Sequence, residues 1–315
     1  MKVHGRVVKS TGSWVTVQAD NSEQLWVCKV KGRFRISGIR STSPVAVGDN
    51  VEVDLPDDSS TGMITAILPR KNQIVRKASN LSHESHVLAS NIDQALLVVT
   101  LTHPETPIEF IDRFLVAAEA YRIPVWLIFN KIDLYSSFQM EQLSDFESLY
   151  RSIGLNTLRT SVILGQNISE LAALLEGKVS LLSGNSGVGK SSLVNAVDSS
   201  CDLRTGHISE AHLTGKHTTT YAEMHRINRN GFVVDTPGIK GFGMVQMERE
   251  EIYHFFPEMF AVSEHCQFHN CLHLSEPRCA VRKAVEEGKI ALSRYTSYLG
   301  IMEEFDEGKY RSAGY

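Results

Sequence analysis

The clearest chemical signal is a glycine-rich run, GNSGVGKSS, which matches G-x4-G-K-[ST] without a mismatch. An apolar run typical of a strand precedes it, and a helical pattern follows it. Glycines let backbone N–H groups converge on phosphate oxygens, and the helix start adds partial positive charge. Lys190 is expected to reach the β- and γ-phosphates, and Ser191 is expected to bind Mg²⁺. The predicted phosphate site comprises Gly184, Asn185, Ser186, Gly187, Val188, Gly189, Lys190, Ser191 and Ser192.

A second motif, Asn130-Lys131-Ile132-Asp133, follows the apolar run PVWLIF. Sheets of α/β proteins bind ligands at the carboxyl ends of their strands. One carboxylate at Asp133 can accept both adjacent donors of guanine, N1–H and N2–H₂, whereas adenine presents an acceptor at N1. Asn130 and Lys131 are expected to bridge to the phosphate loop and cover the base. Ser161 is expected to supply a backbone N–H to guanine O6, although its run, TSV, matches the usual Ser-Ala pair poorly.

Two runs complete a set of residues for Mg²⁺ and the γ-phosphate. The run DTPG matches D-x-x-G after the strand-like GFVVD, so Asp235 is expected to hold Mg²⁺ through water and the Gly238 N–H to sense the γ-phosphate. Between this motif and the phosphate loop lies GKHTTT, Gly215 to Thr220. The hydroxyl of Thr219 can complete the Mg²⁺ shell when the γ-phosphate is present.

The expected catalytic residues are Lys190, Thr219 and His217. Many GTPases carry a glutamine just after D-x-x-G to hold the attacking water, but here the position is Ile239. His217 lies two residues before Thr219 in a long polar segment, so we expect its imidazole to orient that water. In the alternative, His217 only packs the loop and a partner supplies the missing group.

Three cysteines and several histidines crowd into a short stretch near the C-terminus. Cys266, Cys271 and Cys279 offer three thiolates, and a nearby imidazole makes a soft S₃N set that suits tetrahedral Zn²⁺. His265, His269 and His273 all compete for the fourth position. Four protein ligands leave no open coordination site, so we expect one structural Zn²⁺ whose binding supplies folding energy.

Composition limits the class of protein. The chain has 315 residues, 42% of them hydrophobic and 22% charged, which fits two or three globular domains. A net charge of −4 means that nucleic-acid binding needs a local basic patch. No apolar signal core opens the chain, and its apolar runs are too short to span a membrane. Clustered cysteines indicate metal ligation in a reducing compartment, so we expect a cytoplasmic protein without membrane contact.

Three regions are distinguished by their patterns. Residues 1–72 contain five short strand-like runs, which predict an OB-fold barrel. Residues 73–248 alternate strands with helices, which predicts a parallel sheet covered on both faces. Residues 249–315 predict helices around the Cys/His stretch. The five barrel runs are Val3–Val8, Trp14–Gln18, Leu25–Val30, Asn50–Asp54 and Gly62–Leu68.

A basic run, KVKGRFRI, lies within the predicted barrel. Its cations occupy alternate positions, and the period of a strand puts them on one face. Such a face on an OB barrel binds nucleic acid, although an ordinary solvated face is the alternative. The expected contact residues are Lys29, Lys31, Arg33, Arg35 and Arg40.

The order of the motifs is rotated relative to ordinary GTPases, because the base reader, Asn130–Asp133, precedes the phosphate loop. A rotated chain still makes the same site, since the site depends on where strand ends lie in space. Together NKID, GNSGVGKSS, GKHTTT, VDTPG and the cysteine stretch resemble the circularly permuted GTPases of small-ribosomal-subunit assembly, ribosome small subunit-dependent GTPase A. The resemblance covers nearly the whole chain and is weaker at Ser161 and in Ser79–His86.

This resemblance implies an α/β fold in which a circularly permuted P-loop GTPase domain lies between an N-terminal OB barrel and a C-terminal helical zinc domain. It implies GTP hydrolysis to GDP, stimulated by the small ribosomal subunit late in maturation. The family pattern C-x4-C-x-H-x5-C selects His273 as the fourth zinc ligand, and a ribosome-bound family favours rRNA as the partner of the basic run. We expect a monomer. The alternatives are an ATP-driven kinase, against which Asp133 argues, and an RNA-binding module with vestigial GTPase activity.

Overall fold

The computed structural model describes residues 2–11, 14–20, 22, 24–30, 44–55, 61–77, 85–201, 223–227, 230–235 and 247–306. Several predicted site residues lie outside these ranges, and for Asp235 only the backbone is described. Those outside are Lys31, Arg33, Arg35, Arg40, His217, Thr219 and Gly238.

The N-terminal region forms the predicted barrel. Its valines and isoleucines alternate with polar residues, so each strand sends one face into a common core that contains Val7, Val17, Val53 and Ile64. The strand order is β1-β2-β3-β5-β4, and β4 pairs with β1 to close the barrel, as in an OB-fold. The strands are β1 (Lys2–Thr11), β2 (Trp14–Ala19), β3 (Leu25–Val30), β4 (Asn50–Asp54) and β5 (Thr61–Ile67).

A hairpin that the sequence patterns did not indicate follows the barrel: β6 (Gln73–Lys77) pairs with β7 (Ser85–Ser90). The buried carboxylate of Asp49 fixes its base to the barrel. Asp49 accepts from the Arg70 guanidinium at 2.7 and 2.8 Å and from the Ser90 hydroxyl at 2.6 Å. A buried carboxylate needs such partners, so this contact orients the connection between barrel and sheet.

The central region is a sheet covered by helices, as predicted. Its strands run β10-β9-β8-β11-β13-β12, and the first five are parallel, while β12 is antiparallel to β13. Every residue of β8 is buried, which explains why its sequence is apolar after Gln94. The strands are β8 (Gln94–Val99), β9 (Val125–Phe129), β10 (Asn156–Arg159), β11 (Val179–Ser183), β12 (Glu223–Ile227) and β13 (Gly231–Asp235).

The described part of this region has four α-helices. Apolar clusters on the two sides of the sheet take residues from different helices: Phe114 and Leu143 lie in one, and Leu171 and Leu193 in the other. The barrel joins the sheet edge where Lys9 pairs with Glu223, and their side chains form an ion pair at 3.1 Å. The helices are α1 (Ile108–Ala120), α2 (Ser137–Ser152), α3 (Ile168–Leu175) and α4 (Lys190–Val197).

The C-terminal region packs against α1. A 3-10 helix, Arg249–Phe255, leads into α5 (Pro257–Ser263), α6 (Ala280–Glu286) and α7 (Leu292–Asp306). Their apolar core includes Val116 of α1, so this region is docked on the central one rather than free of it. No helix in the described part of the chain has both the length and the apolar composition needed to cross a bilayer.

Candidate nucleotide site and metal centre

The phosphate loop lies between β11 and α4, as the sequence predicts. Gly184 and Gly189 have φ values of +139° and +98°. A Cβ on Gly184 would lie 2.2 Å from the Val98 carbonyl oxygen, and one on Gly189 would lie 2.4 Å from Asn130 Nδ2. Only glycine therefore lets the loop approach both β8 and the base-reading segment. The Lys190 ammonium donates to the carbonyls of Gly184 at 2.7 Å and Asn185 at 2.8 Å.

The predicted base reader lies beside this loop. Asn130 is buried at the carboxyl end of β9, and its Nδ2 donates to the Val188 carbonyl at 2.8 Å. Its Oδ1 accepts from the Thr160 hydroxyl at 3.0 Å. This amide thus ties together two loops that are 58 residues apart in the chain. Lys131 has a left-handed backbone with φ of 60°, and Ser191 is buried in the first turn of α4.

Asp133 is held by the loop after β10. The buried hydroxyl of Ser161 donates to Asp133 Oδ1 at 2.5 Å and accepts from the Leu164 N–H at 3.1 Å. The backbone N–H of Ser161 donates to the Gln166 carbonyl at 3.3 Å. Ser161 thus orients the carboxylate through its side chain, a contact that the sequence analysis missed. Its expected role toward guanine O6 stays a prediction.

The loop between β8 and α1, residues 100–107, is a further neighbour that carries no recognisable motif. Lys131 Nζ donates to the His103 carbonyl at 2.6 Å. The Tyr135 hydroxyl accepts from the Leu101 N–H at 2.9 Å and donates to the Asn130 carbonyl at 3.0 Å. Pro104 lies 3.4 Å from the Cβ that a side chain at Gly187 would have.

The described Mg²⁺ and γ-phosphate residues share one edge of the sheet. β11 and β13 are parallel neighbours, with Leu181 opposite Val234, so their carboxyl ends at Ser183 and Asp235 lie together. The Ser191 hydroxyl and an oxygen of Asp235 suit Mg²⁺, which prefers oxygen ligands. The expected roles of Thr219, His217 and Gly238 fall outside the described residues.

The cysteine stretch forms a metal-type cluster. The ligand atoms of Cys266, Cys271, His273 and Cys279 all lie within 4.8 Å of one another. His273 Nδ1 is 3.6 Å from Cys266 Sγ and 3.4 Å from Cys279 Sγ, and the two sulfurs are 4.0 Å apart. Tetrahedral Zn²⁺ with ordinary bond lengths places such atoms about 3.5–3.8 Å apart, so the donors fit. His265 and His269 are exposed and outside this group.

The surroundings of the cluster favour a bound dication. Burial raises the pKa of Cys271 to about 12 and also raises that of Cys279, while burial lowers the pKa of His273. Burial therefore disfavours the thiolates of Cys271 and Cys279, and a dication is what would stabilise them there. Tyr253 packs edge-on against the His273 ring at 4.6 Å, which fixes the imidazole. The N–H groups of Ala280 and Arg282 donate to Cys266 and Cys279 sulfurs.

Lys29 is the one predicted RNA-contacting residue that lies in the described part of the chain. It points outward from β3, opposite Trp14 of β2, and its ammonium lies 4.6 Å from the centre of the indole ring. Leu25, Val27 and Met63 share this exposed face of the barrel. A cation beside an exposed aromatic ring is a combination found in proteins that bind single-stranded nucleic acid.

Comparisons with known proteins agree with this geometry. Residues 67–245 match the family model for the RsgA GTPase, and residues 4–64 match the model for the RsgA N-terminal domain. The chain is 52% identical over 309 residues to the small ribosomal subunit biogenesis GTPase RsgA of Bacteroides fragilis strain YCH46. That match covers 98% of this chain and 99% of the B. fragilis protein. It is 50% identical over 311 residues to the protein of the same name from Christiangramia forsetii, with 98% of each covered.

Two solved structures are also similar. YjeQ from Thermotoga maritima has a TM-score of 0.79 at 35% identity and covers 96% of this chain and 98% of its own. YloQ, described as a circularly permuted GTPase, has a TM-score of 0.75 at 27% identity and covers 98% and 96%. The fold and the rotated order of the nucleotide-binding segments therefore define a circularly permuted GTPase. Within that class, the chain belongs to the RsgA GTPase family.

Proposed function

We propose that this chain is a GTPase that binds the small ribosomal subunit and couples GTP hydrolysis to late maturation of that subunit. The observation that carries the GTPase part is the contact between Asn130 and Val188, because it joins the base-reading segment to the phosphate loop as one pocket. The ribosomal part is supported by the names of relatives that are about half identical over nearly the full chain.

In this proposal, guanine lies against Asp133, whose carboxylate is already oriented by the Ser161 hydroxyl. The phosphates lie in the loop from Gly184 to Ser192, where they replace the carbonyls of Gly184 and Asn185 as partners of the Lys190 ammonium. Ser191, Thr219 and, through water, Asp235 would hold Mg²⁺, which would supply positive charge to neutralise the charge that develops on the phosphates. GTP would contact the phosphate-loop and base-reading residues predicted from the sequence, and Gly238 would lie at the γ-phosphate.

The attacking water needs an orienting group, because Ile239 has no polar atom in its side chain. We assign this role to His217, on the segment that carries Thr219. Docking on the subunit would bring that segment over the γ-phosphate, so turnover should be slow in the free protein.

The barrel and the zinc-binding region are the proposed docking surfaces for rRNA. On the barrel, Lys29 and Trp14 supply an ammonium and an exposed ring, and the basic run continues with Lys31, Arg33 and Arg35, followed by Arg40. These contacts to the RNA backbone would be electrostatic and would weaken with salt. Domain limits of 1–72, 73–248 and 249–315, a monomeric state and a cytoplasmic location complete the proposal.

GTP turnover with and without purified small subunits tests this function, with ATP as the control nucleotide. We expect slow GTP turnover alone, strong stimulation by subunits, and no turnover of ATP, because Asp133 repels the adenine N1. With saturating subunits, His217→Ala should lower turnover by tenfold or more and leave GTP affinity intact.

The outcomes separate the alternatives. Equal binding of GTP and ATP would contradict the guanine reader and favour a kinase-like enzyme. Tight RNA binding without any subunit-stimulated turnover would favour an RNA-binding module. Unchanged stimulated turnover in the His217→Ala variant would assign the water-orienting role to another group.

A further inference from the structure

The hydroxyl of Tyr135 links the base-reading segment, Asn130–Asp133, to the loop at residues 100–107. The run from Asn130 to Tyr135 curls back on itself through a 3-10 turn, so the hydroxyl of its last residue meets the carbonyl of its first at 3.0 Å. The same hydroxyl accepts from the Leu101 N–H at 2.9 Å. One oxygen atom thus satisfies a donor and an acceptor on two different segments.

Lys131 completes a closed ring of contacts. Its ammonium donates to the His103 carbonyl at 2.6 Å, two residues beyond Leu101. The base-reading segment is therefore held to the 100–107 loop at two points, once by the Tyr135 hydroxyl and once by the Lys131 ammonium. The 100–107 loop also approaches the phosphate loop, because a Cβ at Gly187 would lie 3.4 Å from Pro104 Cδ.

The 100–107 loop is itself closed at its base. The Thr100 N–H donates to the Thr106 hydroxyl at 3.1 Å, and the Thr106 N–H donates to the Thr100 carbonyl at 2.8 Å. The Thr100 hydroxyl donates to the Pro104 carbonyl. These bonds give the loop a defined shape without regular secondary structure, so it can transmit the position of Tyr135 to His103 and Pro104.

The chemistry of Tyr135 suits a positioning role. Burial raises the pKa of Tyr135 to about 12, so the hydroxyl keeps its proton at neutral pH and can donate to the Asn130 carbonyl. The ring packs against the main apolar cluster, which leaves the hydroxyl little freedom to move. Without it, the Leu101 N–H and the Asn130 carbonyl would lose this half-buried partner.

We propose that Tyr135 is a positioning residue for guanine nucleotide, and that the 100–107 loop it holds forms an outer wall of the nucleotide pocket through His103 and Pro104. The inference rests on the proposed GTPase function. Tyr135 acts through Asn130 and Lys131 rather than by touching the nucleotide. Loss of its hydroxyl should let both loops open more readily and should raise the dissociation rate of GDP.

Tyr135→Phe tests the proposal, because it removes one oxygen and keeps the ring. Tyr121→Phe is the matched control: Tyr121 packs against the same cluster, burial raises its pKa, and its hydroxyl donates to the Val75 carbonyl at 3.3 Å, far from the nucleotide at the other end of α1. GDP binding and release would be measured with a fluorescent GDP analogue, and unfolding of each variant by heating.

We expect Tyr135→Phe to bind GDP about tenfold more weakly, mainly through faster release, whereas Tyr121→Phe stays within about twofold of the parent. Thr106→Val, which loosens the base of the same loop without contacting the nucleotide, should change GDP affinity in the same direction as Tyr135→Phe. At saturating nucleotide the maximal turnover of Tyr135→Phe should be unchanged, because the phosphate and Mg²⁺ ligands remain.

Two results are kept apart by this design. If the parent protein does not bind GDP, the proposed GTPase function fails. If the parent binds GDP but Tyr135→Phe and Tyr121→Phe release it at equal rates, the function stands and the positioning role is overturned. Equal losses of thermal stability in the two variants, with GDP release faster only in Tyr135→Phe, would support positioning over a general structural effect.

Discussion

The Lys190 ammonium has two carbonyl partners from its own loop, so the loop is already curled around the position of a phosphate. A carbonyl is a neutral acceptor, whereas a phosphate oxygen is charged, and hydrogen bonds between charged groups are the stronger kind. The Lys190 side chain therefore needs only a local movement to exchange the Gly184 and Asn185 carbonyls for phosphate oxygens. The proposed guanine selection, in contrast, would use the Asp133 carboxylate, which the Ser161 hydroxyl already orients.

Asp133→Asn should weaken GDP binding by about 1–3 kcal/mol, because one of the two acceptors for guanine becomes a donor. The Asn Oδ1 can still accept from the Ser161 hydroxyl, which leaves the new NH₂ facing the base. Xanthine has a carbonyl where guanine has its amino group, so the variant should gain affinity for XDP. Calorimetric titration with both diphosphates measures the exchange.

Ser161→Ala is the companion variant for Asp133. It removes the 2.5 Å bond that orients the carboxylate but keeps both acceptors. Its loss of GDP affinity should be about 1 kcal/mol without any gain for XDP. A Ser161→Ala variant with parental GDP affinity would mean that Asp133 is oriented without this hydroxyl.

Sequence patterns predicted the elements that carry the site better than the contacts between them. The strand-like runs PVWLIF and GFVVD are local apolar patterns, and the structure has them as strands β9 and β13 within a residue of their bounds. Strands β6, β7 and β12 were missed, because QIVRK, SHVLAS and EMHRI are short and polar and pair with neighbours that no local pattern identifies. Tyr135 was missed for the same reason, since its role exists only where two loops meet.

The C-terminal region, residues 249–306, contains short helices that need tertiary contacts. Helices α5 and α6 have seven residues each, which is too short for stability without tertiary contacts. Cys279 caps α6 by accepting from the Arg282 N–H, and Glu276 accepts from the N–H groups of Leu272, Leu274 and Ser275. Burial raises the pKa of Glu276, but these backbone bonds outweigh it and hold the pKa below its usual value.

Protein purified without added zinc should contain about one Zn²⁺ per chain, and Cys271→Ser should lose most of it. Removal of the metal would leave three thiols, two of them buried, and one imidazole with no charge to organise them, so α6 should exchange its amide hydrogens much faster. Metal analysis and hydrogen exchange measure the two effects. Cys201→Ser is the control, because Cys201 lies outside the cluster, and it should retain full zinc. Full zinc in Cys271→Ser would rule this assignment out.

At the scale of the molecule, α1 connects the predicted nucleotide site to the C-terminal region. Its N-terminal end follows the 100–107 loop, and along its length it packs against α7 and the 3-10 helix Arg249–Phe255. Arg294 of α7, only 1% exposed, donates to Asp112 of α1 at 2.8 Å and to Glu258 of α5 at 2.7 Å, and it lies over the Phe256 ring. One guanidinium thus joins α1, α5 and α7, in addition to the apolar core that they share.

Arg294→Met should lower the free energy of unfolding of the docked region by about 3–5 kcal/mol at neutral pH, because it leaves the buried carboxylate of Asp112 and the partly buried one of Glu258 without their cation. Hydrogen exchange of α1 and α7 amides under native conditions measures this opening free energy. Arg113→Met is the matched control. Arg113 of α1 forms an ion pair with Glu304 of α7, nearer the surface. Its loss should stay under about 1 kcal/mol.

The free energy of unfolding of the Arg294→Met variant should depend on pH. Burial raises the pKa of Asp112, and the Arg294 guanidinium opposes that rise. In the variant the opposing charge is gone, so the pKa of Asp112 climbs further above its value in the unfolded chain. The folded variant then takes up a proton that the unfolded chain does not, and its stability increases as pH falls. The stability gap to the parent should therefore shrink from about pH 8 to about pH 5.5. A gap that stays constant over this range would mean that Asp112 finds another cation or water when Arg294 is removed.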